Sequence, residues 1–254
     1  MLRLKIMTAD SIVFEKKNYQ KQFQNLCKGF VSNHNGFIFL KRHTKIVDKI
    51  LSRLWSECSV SNKNSLIAVG GYGRSELFPY SDVDILVLQN EKSKSNDENV
   101  TQFITKCWDI GLKIGHSVRN LSEVKEEYNA DISTATSLLE SRFVFGNYDL
   151  YSKFNSTIDK IINVKKFFKE KINEQAIRHK KYKDSAYQLE PNIKESPGGL
   201  RDLQMILWVA TSQKKGKTFE ELTQKGILSV DQYKKIRLTI SKVNKYRILL
   251  HILS

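Results

Sequence analysis

Val69-Gly-Gly-Tyr-Gly-Arg-Ser-Glu-Leu-Phe-Pro-Tyr-Ser-Asp-Val-Asp-Ile-Leu-Val-Leu88 decides the reading of this chain. The segment Ser65-Leu-Ile-Ala-Val69 before it is a short apolar strand that runs into a glycine turn. Pro79-Tyr80-Ser81 is a second turn. Asp82 to Leu88 reads as a strand with apolar residues on both faces, so it belongs inside a sheet. Side chains alternate along a strand, which puts Asp82 and Asp84 on one face. Two neighbouring carboxylates repel, and without a cation one of them tends to take up a proton. Burying acids among Val83, Ile85 and Val87 is costly unless a metal or a donor compensates. Oxygen-only ligands suit Mg²⁺ or Mn²⁺, and no His or Cys stands beside them to favour zinc. Asp82 and Asp84 are therefore the candidate catalytic and metal-binding residues.

The turn supplies complementary chemistry. Gly70, Gly71 and Gly73 allow backbone N–H groups to approach an anion closely. A short helix from Gly73 onward would add a favourable dipole. Arg74 and Ser75 add side-chain donors. Gly70, Gly71, Gly73, Arg74 and Ser75 are thus the candidate substrate-binding residues, for a nucleoside triphosphate and its metal. A glycine turn alone is also an ordinary turn; the turn followed by D-x-D about ten residues later is far more specific.

Outward from this centre the pattern is mostly helical. Residues 15–59 read as helix, with Leu40, Ile46, Ile50, Leu51, Leu54 and Trp55 on one stripe and breaks at Gly29 and Gly36. Residues 89–97 read as an exposed lysine-rich loop, 99–112 as a helix, and Lys113–Arg119 as a third strand. Ser122 with Glu126 marks a helix start. Asp131 to Phe145 reads as a helix with Asp131 as its N-cap. Helices are expected at 148–162, 165–183, 200–212, 218–225 and from Ser229 onward, with an irregular segment over Leu189–Gly199. The fold class is α+β: a small mixed β-sheet core packed with helices, then a helical region. The expected division is a helical segment 1–60, a core 61–145 and a helical region 146–254. The chain stops at Leu250-His-Ile-Leu-Ser254 inside an amphipathic pattern, which points to a gene fragment or a shortened chain.

Composition narrows the function classes. The chain has 254 residues, 42 basic and 27 acidic, for a formal charge of +15. Such a balance suits an anionic partner. Lysine is scattered, however, with no compact basic stripe interleaved with aromatics, so a nucleic-acid partner is disfavoured. Three widely spaced cysteines fit a reducing cytoplasm rather than a disulfide framework or a zinc site. Met1–Met7 lacks the apolar stretch of a secretion signal. No run of about 18 apolar residues predicts a membrane span.

The stretch Gly70-Gly-Tyr-Gly-Arg-Ser-Glu-Leu-Phe-Pro-Tyr-Ser-Asp-Val-Asp84 resembles the DNA polymerase β-like nucleotidyltransferases. More closely, it looks like the bacterial uridylyltransferases that modify the nitrogen-regulatory PII protein. Gly115-His-Ser-Val-Arg119, Asp131-Ile-Ser-Thr-Ala-Thr-Ser-Leu-Leu-Glu140 and Pro191-Asn-Ile-Lys-Glu-Ser-Pro-Gly-Gly-Leu-Arg-Asp-Leu-Gln204 resemble the same family in order and spacing. The resemblance implies transfer of UMP from UTP to a tyrosine of PII, with Mg²⁺ and release of pyrophosphate. Phosphoryl-type transfer needs positioning and charge neutralisation more than covalent help, which agrees. Related transferases acting on RNA or a small molecule, and a catalytically silent remnant, are the alternatives.

Family members continue into an HD-type hydrolase domain and two ACT domains, neither of which this sequence contains. The superfamily's usual third carboxylate has no counterpart in 113–119, where Gly115-His116 stands. Asp131 and Glu140 are candidates for it, with Asp109 behind them. His116 and Arg119 are read either as contacts to triphosphate or base, or as structural hydrogen-bonding residues. Pro197-Gly-Gly-Leu-Arg-Asp202 is either a loop closing on substrate through an Arg201–Asp202 pair or a tight turn before a helix. Cys107, Trp208, Phe167 and Phe168 are expected in the core.

Overall fold

A computed structural model describes residues 9–90, 97–182 and 192–253. Met1–Thr8, the lysine-rich stretch 91–96 and residues 189–191 of the expected irregular segment lie outside the described residues. The chain divides at Lys160/Ile161 into two compact units.

The first unit is built on four strands, β1 (Ser65–Ala68), β2 (Val83–Leu88), β3 (Ile114–Arg119) and β4 (Arg142–Gly146), in the order β3-β2-β1-β4. β1 runs antiparallel to β2 and β4, while β2 and β3 are parallel, with Asp84 opposite Gly115. A parallel pair needs a crossover, and helix α4 (Glu98–Ile110) supplies it. Asp97 caps α4 by accepting from Asn99 N at 3.0 Å, and Gly111, at φ +95°, ends it in the left-handed conformation that favours glycine.

Alternation sorts the sheet's faces. Leu66, Ala68, Val83, Ile85 and Val87 face a core shared with α4 and with Val47, Ile50, Leu51, Leu54 and Trp55 of α2 (Gly36–Glu57). Cys107 is part of that core. α1 (Ala9–Asn33) packs on α2 and α4. Gly29 does not interrupt α1. The break falls at His34, φ +52°, and Asn35, whose side chain accepts from Ile38 N at 3.1 Å. The N-terminal helices therefore share one core with the sheet.

Two further expectations in this unit need correction. Asp131–Phe145 is not one helix: α6 (Ile132–Leu139) ends before β4. Phe143-Val-Phe145 is an aromatic and β-branched run that fits a pleated surface. It pairs with the otherwise open side of β1. Gly146, at φ +97°, closes the strand where a Cβ would lie 2.4 Å from the Asn64 carbonyl. The expected helix start at Ser122 and Glu126 also shifts. α5 (Leu121–Ala130) opens at Asn120, which accepts from Ser122 N and Glu123 N while Glu123 accepts from Asn120 N, a reciprocal capping box.

His43 of α2 is buried, with Nδ1 donating to the Leu77 carbonyl at 3.0 Å and Nε2 3.2 Å from the Tyr19 hydroxyl. Burial lowers its pKa from 6.5 to about 4, outweighing the opposing pull of the carbonyl. The unfolded chain therefore takes up this proton first as pH falls. The stability that neutral His43 allows is complete above pH 6.5 and declines between 6.5 and about 4, by roughly 3 kcal/mol in all. Urea midpoints at pH 7.5, 5.5 and 4.5 should fall more steeply for the wild type than for His43→Gln. Parallel declines would refute the assignment.

The second unit is helical: α8 (Val164–Lys181), α9 (Leu200–Ser212), α10 (Phe219–Gln224) and α11 (Val230–Leu253) follow α7 (Tyr148–Ile161). Asp202 does not pair with Arg201. Its carboxylate accepts from Gln175, Arg178, His179 and Gly198 N at 2.5–3.0 Å. Burial would raise its pKa, but these donors together hold it well below the usual carboxylate range. Arg201 reaches Glu195 at 3.4 Å instead. The Pro197–Asp202 stretch is thus a turn bound onto α8, with Asp202 in the first turn of α9. Trp208 is buried, with Lys171 Nζ 4.1 Å from its ring centre, and Phe167 is also buried. Phe168 is exposed, one residue round from the face that α8 buries. No helix among the described residues is long and apolar enough to cross a membrane.

Candidate active site

The glycine turn folds as one helical turn, α3 (Gly70–Gly73), three residues earlier than expected. It is entered through Gly70 at φ +57°, and the Val69 amide donates to the Asp84 carbonyl at 3.0 Å. A Cβ on Gly70 would lie 3.4 Å from Ser137 Oγ and 3.6 Å from Asp84 Oδ2. Turn, strand and α6 therefore meet at this glycine.

Asp84 projects from the face opposite the large core. Its Oδ1 occupies the space above Gly115 so closely that a Cβ there would lie only 2.5 Å away. Gly115, the residue found in place of a third acid, acts as a recess for the Asp84 carboxylate. The face opens into a cleft of about 320 Å³ lined by Asp84, Gly115, Ser117 and Arg119 from the sheet and by Thr134 and Ser137 from α6. Asp82 is exposed, one residue before β2, and is not among the residues lining the cleft.

The remaining candidates fall in several places. Arg74 is held between Glu76, 2.8 Å from its Nε, and Glu140, 2.5 Å from its Nη1. Burial alone would lower its pKa, but the two carboxylates more than reverse this, so the guanidinium stays charged. Glu140 is thereby bound to the turn. Ser75 follows the turn at φ +61°. Gly71 lies against the Arg74 guanidinium, and Gly73 lies against the Glu140 carbonyl. Asp131 caps α6, accepting from Thr134 N at 2.6 Å. Arg119 lines the cleft and pairs with Glu127 of α5 at 2.9 Å. His116 borders the cleft along β3, but its ring packs edge-on against Trp108 of α4, 5.6 Å between centres, on the core side of the sheet. Asp109 is exposed on α4.

No group of three or more His, Cys, Asp or Glu side chains able to hold a metal occurs among the described residues. Of the two candidate acids only Asp84 lines the cleft; an oxygen ligand of this kind suits Mg²⁺, a cation that keeps several waters and takes much of its shell from phosphates. Sequence reasoning missed Ser137 and Thr134, which lie on the far wall of the cleft, because their place depends on how α6 folds over the sheet. It also missed Asp48 and Arg142, which lie far apart in sequence.

Gly115→Ala tests the recess. The clashing atom is the end of a flexible side chain, so the chain should fold with little loss of stability. The carboxylate must turn away, and on the nucleotidyl-transfer reading proposed below Mg²⁺-dependent affinity for UTP should fall at least about tenfold. Unchanged affinity by titration calorimetry would refute the role of Gly115.

An acid on a central strand, recessed beside a glycine turn and facing a cleft, defines an α+β fold with a nucleotidyltransferase-like core. Residues 166–254 match the family described as GlnD PII-uridylyltransferase. The bifunctional uridylyltransferase/uridylyl-removing enzyme of Nitrosospira multiformis is 43% identical over 237 residues, 91% of this chain and 27% of that protein. The enzyme of the same name from Hydrogenovibrio crunogenus is 43% identical over 84% of this chain and 24% of its own length. That from Burkholderia vietnamiensis is 39% identical over 91% and 27%. The chain belongs to the PII-uridylyltransferase family. It spans about a quarter of the length of the curated relatives it matches.

Proposed function

We propose that this chain transfers UMP from UTP to a tyrosine hydroxyl of the PII protein. The observation that carries this reading is the Asp84 carboxylate, recessed over Gly115 beside the Gly70 turn in a chain of this family. In the reaction the tyrosine oxygen bonds to the α-phosphorus and the bond to pyrophosphate breaks. Asp84, with Asp82 at the strand entrance, would hold Mg²⁺, which would supply neutralisation of charge on the triphosphate. The Gly73 amide is taken up by the Val69 carbonyl, so the amides of Gly70, Gly71 and Tyr72 are the ones that would meet the phosphates and the charge that grows on pyrophosphate. Ser137, Thr134 and Arg119 line the wall against which the nucleotide is oriented. Arg74, already shared between two carboxylates, fixes the turn rather than meeting the nucleotide. We place the reaction in the cytoplasm, consistent with three free cysteines.

The chain incubated with labelled UTP, Mg²⁺ and purified PII should label PII on tyrosine. Labelling of added RNA instead would reassign the acceptor. Absence of both labelling and metal-dependent UTP binding would overturn the reading.

A further inference from the structure

Tyr72, in the middle of the glycine turn, is only 1% exposed. Its hydroxyl donates to Asp48 Oδ1 of α2 at 2.5 Å. Arg142, the first residue of β4, grips the same carboxylate with both terminal nitrogens, each at 3.0 Å. One of those nitrogens also lies 3.4 Å from the Tyr72 carbonyl, and the guanidinium stands 5.3 Å from the Tyr72 ring centre. Three residues from α2, the turn and β4 thus converge behind the glycines. Such a network is a poor source of net stability. Desolvating an ion pair offsets most of its attraction, and Arg142 Nε is buried without a partner. What the network does fix is position, because a two-pronged guanidinium and a carboxylate sharing one hydroxyl admit one arrangement.

We propose that Asp48 and Arg142 are positioning residues that act through Tyr72, holding the Gly70–Gly73 turn at the distance from Asp84 that the triphosphate needs. This inference rests on the nucleotidyl-transfer reading. Neither residue lines the cleft, so both act by holding backbone amides in place. A small misplacement of such groups is expensive: displacements of about 1 Å cost up to about a hundredfold.

The test uses the 254-residue chain with Mg²⁺ and UTP, read by calorimetry and by transfer to PII. Tyr72→Phe removes one hydroxyl and leaves the Asp48–Arg142 pair. It should raise Kd and KM for UTP about tenfold. Loss of folded protein alone would lower the active fraction and leave KM unchanged. Asp48→Asn keeps an acceptor for the hydroxyl and should raise KM less than Asp48→Ala, which keeps the test sound if Tyr72→Phe folds poorly. Arg53→Gln, which breaks the Glu15–Arg53 ion pair away from the turn, should leave KM unchanged. If the wild type binds UTP and the Tyr72 and Asp48 variants bind it equally well, the inference falls alone. If the wild type shows no metal-dependent UTP binding, the transfer reading falls and takes the inference with it.

Discussion

Asp84→Asn is expected to reduce uridylyl transfer at least about a thousandfold, with a thermal midpoint within a few degrees of the wild type. The substitution is isosteric, so the side chain still fits the recess over Gly115. The pairing of β2 with β1 and β3 runs through backbone groups and is untouched. What disappears is the negative charge facing the cleft. An amide is a weak ligand for a hard cation, and a triphosphate without its counter-ion repels the remaining acids. Affinity for Mg²⁺·UTP should fall in step with activity, while metal-free stability changes little. Turnover near the wild-type value, or unfolding of the variant, would show that Asp84 is a structural residue.

The sequence makes the core of this site legible because its signals are local. Alternation along an apolar strand puts Asp84 on the face opposite the core, and glycines about ten residues earlier mark a turn, and both need only near neighbours; Asp82, read on the same strand face, instead stands before β2 and outside the cleft. Asp131 as a cap is legible for the same reason, since an N-cap reads three residues ahead. Tertiary context governs the rest. β4 escapes because helical periodicity continues from α6 into Arg142–Phe145, and the open side of β1 decides the outcome. The start of α3 escapes because Gly70 at φ +57° turns the chain before any side chain shows a pattern. Glu140, proposed as a third ligand, is instead bound to Arg74, a partner 66 positions earlier. The Arg201–Asp202 pair fails for a related reason. Adjacent residues on a helix point apart, and the carboxylate finds donors on α8.

Gly73→Ala should be the most damaging single methyl group in the first unit. Its Cβ would lie 1.9 Å from the Glu140 carbonyl oxygen and 3.0 Å from both the Glu140 carbonyl carbon and the Ala68 oxygen. All three are backbone atoms, so no side chain can swing aside. Ala68 belongs to β1, whose carbonyls are fixed by strand pairing, and Glu140 ends α6. To admit the methyl group, α6 must lift from the turn, which stretches the Arg74–Glu140 ion pair and opens the wall carrying Ser137. Overpacking against backbone should cost about 3 kcal/mol or more. For a chain of this size that lowers the thermal midpoint by roughly 10 °C. Gly29→Ala, where nothing lies within 4 Å of the added carbon, should leave the midpoint unchanged or raise it slightly. Scanning calorimetry of the two variants beside the wild type separates close packing at residue 73 from the general effect of losing a glycine. Equal midpoints for the two variants would mean that α6 does not rest on the glycine turn as described.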